Sequence, residues 1–356
     1  MRIQLFKTKV SGTYSDMHTS ALSFLFCFLF SLQLTAPSFA RQVQNNTSAL
    51  KPLSAVDQAK IIQQLKRALS EKYVLPQVAE QLNQMLDDKL KRGAYRSPND
   101  RIQFARTLTD HLQRVSNDKH LAVRFDAPDP DQQAELDHED LEKIDFLESY
   151  TNEENLGIKR IGRLSGNIGY IDLRVFGLTQ FAGPAIANAM QSLSNSDSLI
   201  IDLRENLGGS PDTVVFFASY FLPPKTRLND IYDRREDKTT QTWSLSQTPT
   251  PAYDSNKKVY LLTSKKTFSA AEDFAYTLQS MKRCTIIGEV TGGGAHPTMK
   301  VRLSNQIAAY IPYGRSINPI TKTNWEGVGV QPEIIVDKAL AFKTAYALAI
   351  KELRDR

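Results

Sequence analysis

Between residues 56 and 115 the apolar positions recur at helical spacing. Ile61, Ile62, Leu65 and Leu69 share one face of a segment over 56–74. Val78, Leu82, Leu86 and Leu90 share a face of the next, with Gly93 as its stop. Ile102, Phe104, Ala105, Leu108 and Leu112 line a third over 98–115. The pattern predicts a small helical unit. Residues 126–140 are acidic, contain proline and predict a loop. After Gly166 the rhythm changes. Apolar runs at 168–173, 199–203, 259–263 and 285–288 predict strands. Segments at 181–193, 213–221 (opening near Pro211) and 270–281 predict helices between them. Strands alternating with helices predict βαβ units and a largely parallel sheet. Residues 227–253 break the alternation as a long polar excursion that could hold a hairpin. Residues 301–312 predict a hairpin and 339–353 a closing helix.

The N-terminus has its own pattern. Arg2, Lys7 and Lys9 precede an apolar stretch at 21–34, which ends in Ser38-Phe-Ala40. A basic start, a short apolar segment and a small-x-small end predict a secretory signal over 1–40. The stretch falls short of the ~20 residues that span a bilayer. The expectation is an exported, periplasmic or extracellular protein with no stable membrane insertion once the signal is removed. Residues 41–51 are polar and predict a linker.

Composition narrows the class. The chain has 356 residues, 41% hydrophobic and 23% charged, as in ordinary globular proteins. A disordered chain, a collagen-like fibre and a polytopic membrane protein are excluded. Net charge is +5, but acidic residues are interspersed throughout and no Lys/Arg block occurs, so nucleic acid is not an expected partner. Cys27 and Cys284 cannot build a disulfide framework, and signal removal leaves Cys284 alone.

Three segments carry residues able to do chemistry. In Thr263-Ser-Lys-Lys-Thr-Phe-Ser269-Ala-Ala-Glu272 a strand gives way to a turn, and a serine opens a helix. Free N–H groups at a helix start can stabilise an oxyanion beside a nucleophile. The same spacing of Ser269 and Glu272 also suits a capping box. Asp202-Leu-Arg-Glu-Asn-Leu-Gly208-Gly209 ends a strand in a Gly-Gly turn, either a site that lets backbone amides approach a reacting group or simply a tight turn. Gly288-Glu-Val-Thr-Gly-Gly-Gly-Ala-His296 is a rim or a loop. Of the other histidines, His111 and His138 read as surface residues, and His120 sits where helix hands over to strand. No pair of histidines has metal-ligand spacing, so neither metal nor other cofactor is expected.

Thr267-Phe-Ser269-Ala-Ala-Glu272, the DLRxNxGG stretch at 202–209, GExTxGG at 288–293 and Trp325-Glu-Gly-Val-Gly-Val-Gln-Pro332 stand in an order that resembles the tail-specific (C-terminal-processing) serine peptidases and the repeats of interphotoreceptor retinoid-binding protein. The resemblance covers Gly166 to the C-terminus, and the preceding helices are similar to the family's N-terminal helical domain. It implies an α/β fold of the crotonase-like (Clp-protease-like) ββα type. The implied organisation is a signal (1–40), a helical domain (41–118), a connecting segment (119–165) and a catalytic domain (166–356).

Two departures shape the mechanism that the resemblance implies. The processing enzymes use a Ser-Lys dyad with lysine in TxGKG, but Gly294 stands at that position here, and Lys265, Lys266 and Lys300 are poor substitutes. The stretch between His120 and Gly166 is also too short for their inserted PDZ domain. The arrangement of the tricorn core peptidase is then the one implied: Ser269 as nucleophile, His120 as base, Glu326 as orienter, amides of Gly208 or Gly209 and of Ala270 as oxyanion hole, and His296 as fallback base. The expected substrate is a peptide or protein. The alternative is a non-catalytic module that binds retinoid- or fatty-acid-like apolar ligands.

Overall fold

A computed structural model describes residues 53–96, 100–126 and 156–355. The signal, the linker and nearly all of the acidic loop lie outside the described residues.

Three helices open the described chain: α1 (Ala55–Lys72), α2 (Pro76–Lys91) and α3 (Arg101–Ser116). The side chain of Ser54 caps α1 by accepting the Asp57 N–H, and Asp100 caps α3 by accepting the N–H groups of Ile102 and Gln103. Ile62, Leu65, Leu69, Leu82, Leu86, Phe104, Leu108 and Leu112 of the expected apolar faces are all buried, whereas Ile102, at the start of α3, is exposed. α3 ends at Asn117 in the left-handed region (φ 55°), which turns the chain into β1 (Ala122–Phe125) through Asp118 and His120.

The second layer is a six-stranded sheet. Its strands are β2 (Ile158–Leu164), β3 (Ile168–Leu173), β4 (Ser198–Asp202), β7 (Lys258–Thr263), β8 (Thr285–Gly288) and β12 (Ile334–Ile335), in the order β12-β8-β7-β4-β3-β2. All neighbouring pairs are parallel except β2 with β3. One row of side chains in register, Ile171, Ile201, Leu261 and Ile286, faces α4 (Thr179–Leu193), α5 (Pro211–Ala218) and α6 (Ala270–Ser280). The alternate positions Ile168, Tyr170, Ile200, Tyr260, Leu262 and Ile287 face α7 (Lys338–Arg354), whose Ala341, Ala345 and Ala349 make a small-residue seam. Burial on both faces explains why these strands read as continuous apolar runs.

The predicted excursion does hold a hairpin, β5 (Asp230–Asp233) with β6 (Lys238–Thr240), which pairs with β11 (Gly314–Ile317). The hairpin β9 (Thr298–Ser304) with β10 (Ile307–Pro312) takes β1 as its third strand. Leu303, Ile307, Ala309 and Ile311 of this small sheet share a core with the three N-terminal helices. The turn that carries His120 is thereby packed against a segment that follows His296.

A buried polar network fastens α6. Asn229 Nδ2 donates to Asp273 Oδ1 at 2.5 Å and to Thr277, and Asn318 Nδ2 donates to Asn229 Oδ1 at 2.7 Å. Burial pushes the Asp273 carboxyl up to about 6, against the lowering effect of the bonds from Asn229 and Thr277. The folded-state value lies above the unfolded one of ~3.9. The folded protein therefore holds this proton more tightly, and the group's contribution to stability falls as pH rises from about 4 to 6. Asp273→Asn keeps an acceptor for Asn229. It should raise stability by about 2 kcal/mol at pH 7.5 and by little at pH 4, as read from denaturant midpoints.

Candidate active site

The candidate residues are carried at or beyond the carboxyl ends of β4, β7 and β8, with two further contributions from the α3–β1 turn and the loop after β11. Open α/β sheets place ligands outside these strand ends. Ser269 is the N-cap of α6 and has φ 54° and ψ −121°, a backbone conformation that costs a non-glycine residue about 1–3 kcal/mol. The turn is held by the backbone half of a capping box, Ser269 N–H to Glu272 Oε2 at 2.8 Å. Glu272 does more than cap. Its fully buried carboxylate also accepts the Thr291 hydroxyl (2.5 Å) and the N–H groups of Gly293 (2.6 Å) and Gly294 (2.9 Å). One side chain thus binds the serine turn to the glycine loop. Burial raises the Glu272 pKa above the ordinary value, and these bonds oppose the rise.

Gly208 lies directly against this turn. A Cβ there would stand 2.8 Å from Ser269 Cβ and 3.0 Å from the Ala270 nitrogen, and φ is +109°. The Gly208 N–H is already donated to Asn206 Oδ1 at 2.8 Å. Of the three expected oxyanion donors, Gly209 and Ala270 are the ones whose N–H groups have no hydrogen-bond partner among the described residues.

His120, His296 and Glu326 meet in one cluster, together with Asp118, which the sequence reading passed over. Asp118 Oδ1 accepts the His120 N–H (3.0 Å). Its Oδ2 accepts from His296 Nδ1 (2.8 Å) and from the Tyr73 hydroxyl (3.2 Å). His296 Nδ1 lies 3.6 Å from Glu326 Oε2, which also accepts the Ala295 N–H at 2.6 Å. Asp118, His120 and Glu326 each bring a ligand-type atom within 4.8 Å of the others. That spacing could admit a divalent cation, although both oxygens of Asp118 already have protein partners. Two buried atoms of this cluster lack a hydrogen-bond partner among the described residues, His120 Nδ1 and Glu326 Oε1.

No hydrogen bond joins Ser269 to either histidine among the described residues. The link runs through Phe268, whose ring centroid is 4.6 Å from that of His120. It also runs through Gly294. A Cβ on Gly294 would fall 2.4 Å from Phe268 Cζ and 2.7 Å from His120 Cε1. The imidazole of His120 therefore fills the space that a side chain at 294 would enter, which gives a physical reason for glycine at the position expected of a lysine. Lys266 is paired with Glu205 and Lys300 with Asp126. His111 differs from its expected surface role, since it is half-buried with Nδ1 3.1 Å from the Tyr95 hydroxyl.

The cluster's electrostatics separate the two histidines. Burial drives His120 down to about 4, with the Asp118 charge opposing and His296 assisting. Burial also disfavours charge on His296, but its bond to Asp118 and the nearby Glu326 carboxylate reverse the sign and raise its pKa. Burial and the Asp118 charge push Glu326 up to about 7, with His296 opposing. Asp118 stays below the ordinary carboxylate range because His296 and His120 outweigh its burial. At neutral pH His120 is an uncharged imidazole, as a general base must be.

Overpacking tests the Gly294 geometry. Gly294→Ala should destabilise the protein by about 1–3 kcal/mol, as extra atoms in a packed site do. Gly162→Ala on β2, where a Cβ meets nothing within 4 Å, should be neutral or slightly stabilising. Thermal unfolding of the two variants side by side checks this.

Comparison with known proteins follows the same outline. A family model described as Peptidase family S41 matches residues 167–336, and one described as the N-terminal domain of Peptidase_S41 in eukaryotic IRBP matches residues 52–157. The chloroplastic carboxyl-terminal-processing peptidase 2 of Arabidopsis thaliana is 28% identical over 182 residues, 48% of this chain and 32% of that protein. The chain spans less than half the length of the curated relatives it matches. A putative peptidase from Parabacteroides merdae superposes with a TM-score of 0.56 at 18% identity, over 83% of this chain and 97% of the other. The tricorn protease does so with a TM-score of 0.51 at 14% identity, over 83% of this chain and 37% of the other. Both are similar in fold, the α/β crotonase-like arrangement behind a helical N-terminal part.

Proposed function

The chain belongs to peptidase family S41, and we propose that it is an exported serine peptidase working through Ser269, His120 and Glu326 rather than through a Ser-Lys dyad. The observation that carries this reading is the pair of orphaned buried atoms, His120 Nδ1 and Glu326 Oε1. A small closure that joins them gives His120 the orienting acceptor a catalytic base needs, and leaves its other nitrogen for Ser269. Active-site hydrogen bonds are often long before substrate binds. Export rests on the pattern of residues 2–40. Among the described residues no helix is long and apolar enough to cross a membrane.

In the mechanism, Ser269 Oγ attacks the scissile carbonyl while His120 takes its proton. The carbonyl oxygen becomes an oxyanion facing the N–H groups of Gly209 and Ala270. Collapse breaks the C–N bond, and protonated His120 returns its proton to the leaving amine. Water, deprotonated by His120, then attacks the acyl-enzyme and releases the acid and Ser269. Glu326 fixes the tautomer and orientation of His120 and stabilises its charge without bonding to substrate.

Labelling with a fluorophosphonate and turnover of casein provide the test. Wild type should label and cleave. Ser269→Ala and His120→Ala should each lose roughly 10³-fold or more in kcat, with the double variant little worse, because members of a catalytic unit are not additive. Glu326→Gln should be milder. The acid limb of kcat/KM should lie near pH 7, where Glu326 ionises, because His120 stays neutral down to about 4. Absence of labelling, together with saturable binding of a retinoid or fatty acid, would replace this reading with the apolar-ligand module.

A further inference from the structure

We propose that His296 is a positioning residue: a buried cation wedged between Asp118 and Glu326 that keeps both as carboxylates and so presents Glu326 to His120. The kinetic consequence rests on the peptidase reading; the ionisation of the cluster does not.

His296 is only 5% exposed, and its ring is pinned at 2.8 Å to Asp118 and 3.6 Å to Glu326. The strand of backbone that carries it is zipped to the Glu326 loop. Ala295 N–H bonds to Glu326 Oε2, Trp325 Nε1 donates to the Gly294 carbonyl at 2.8 Å, and Gly327 N–H donates to the Gly293 carbonyl at 3.0 Å. His296 cannot swing toward Ser269 without opening this zip. The ring that touches Phe268, the neighbour of Ser269, belongs to His120 instead. This is why His296 is assigned a supporting role although its Nδ1–Asp118 bond resembles that of a catalytic base.

The charged and titratable groups that bear on His296 come from several elements. Asp118 and His120 lie on the α3–β1 turn, and Tyr73, at the end of α1, holds Asp118 from behind. Glu326 lies on the loop after β11, and Arg315 on β11 disfavours the cation. Two carboxylates this close and this buried repel one another, so removal of the cation between them disfavours ionisation of the weaker acid, Glu326. A protonated Glu326 is a weaker acceptor for His120 and carries no charge to stabilise the imidazolium. Activity should then need a higher pH than in wild type.

His296→Asn keeps a donor for Asp118 without the charge. Its acid limb of kcat/KM should move up by about one unit, which is roughly a tenfold loss on the acid side of the profile. The loss should recover at high pH, with KM changed less than about twofold, since uniform binding is untouched. Histidine ring titration by NMR in the Ser269→Ala protein gives a readout that does not need turnover. The resonance that disappears in His296→Asn should titrate above the ordinary ~6.5 and fall when Asp118→Asn or Glu326→Gln is introduced. An acid limb that superposes on wild type, or a His296 resonance at or below the ordinary value, would overturn the proposal. Equal loss at every pH in His296→Asn and His120→Ala would overturn it too, and make His296 the base. Should wild type show no turnover at all, the peptidase reading fails and the NMR titration alone decides the role of His296.

Discussion

A buried carboxylate on the first turn of α6 holds the site together. Glu272 accepts four hydrogen bonds, from Ser269, Thr291, Gly293 and Gly294, and these join two chain segments, the serine turn and the glycine loop. Ser269 can keep its unfavourable positive φ only if its surroundings over-determine it. Glu272 supplies part of that constraint, and Gly208, stacked where any Cβ would strike Ser269, supplies the rest. Loss of one acceptor oxygen at Glu272 would leave buried N–H groups unpaired at about 1–3 kcal/mol each. The capping reading of the Ser269–Glu272 spacing is met in its backbone half, and the proposed function depends on it: the cap shapes the turn that presents the serine.

On the other side of the glycine loop the physics is electrostatic. Asp118, His296 and Glu326 are two acids around one base, buried under Tyr73 and beside Trp325. Such a cluster is tolerable only when its charges compensate and its lone pairs are met. Asp118 meets this condition through three donors. Glu326 meets it halfway, with one oxygen on Ala295 and the other without a partner among the described residues, as is Nδ1 of His120. The unmet pair is a local cost that closure around a substrate would remove.

Strands β3, β4, β7 and β8 and their flanking helices were legible because their causes are local. Continuous apolar runs for the strands, helical spacing for the helices and Pro211 at a helix start are all written in adjacent residues. The mostly exposed edge strand β2, which falls in the expected connecting segment, and the short strands β11 and β12 were not, since they carry little apolar pattern and exist through their partners. The third core, shared by the N-terminal helices and the β9–β10 hairpin, was hidden for the same reason, being a contact between distant segments. Within the site, Ser269, His120 and Glu326 could be named from motif order. Asp118, two residues before His120, could have been found as the acid most able to reach that turn. The commitment of the Gly208 N–H to Asn206, and the collision between a side chain at 294 and His120, are properties of three-dimensional packing that no spacing encodes.

The central claim is that His120 serves Ser269 and is oriented by Glu326. A crystal structure of the protein covalently trapped by a peptidyl phosphonate measures this most directly. The account predicts the phosphonate on Ser269 Oγ, with its oxygen at the N–H groups of Gly209 and Ala270. It predicts His120 with one nitrogen at 2.6–3.2 Å from the trapped oxygens and the other at similar distance from Glu326 Oε1. A trapped complex in which His296 faces Ser269 while His120 stays remote from both partners would contradict it.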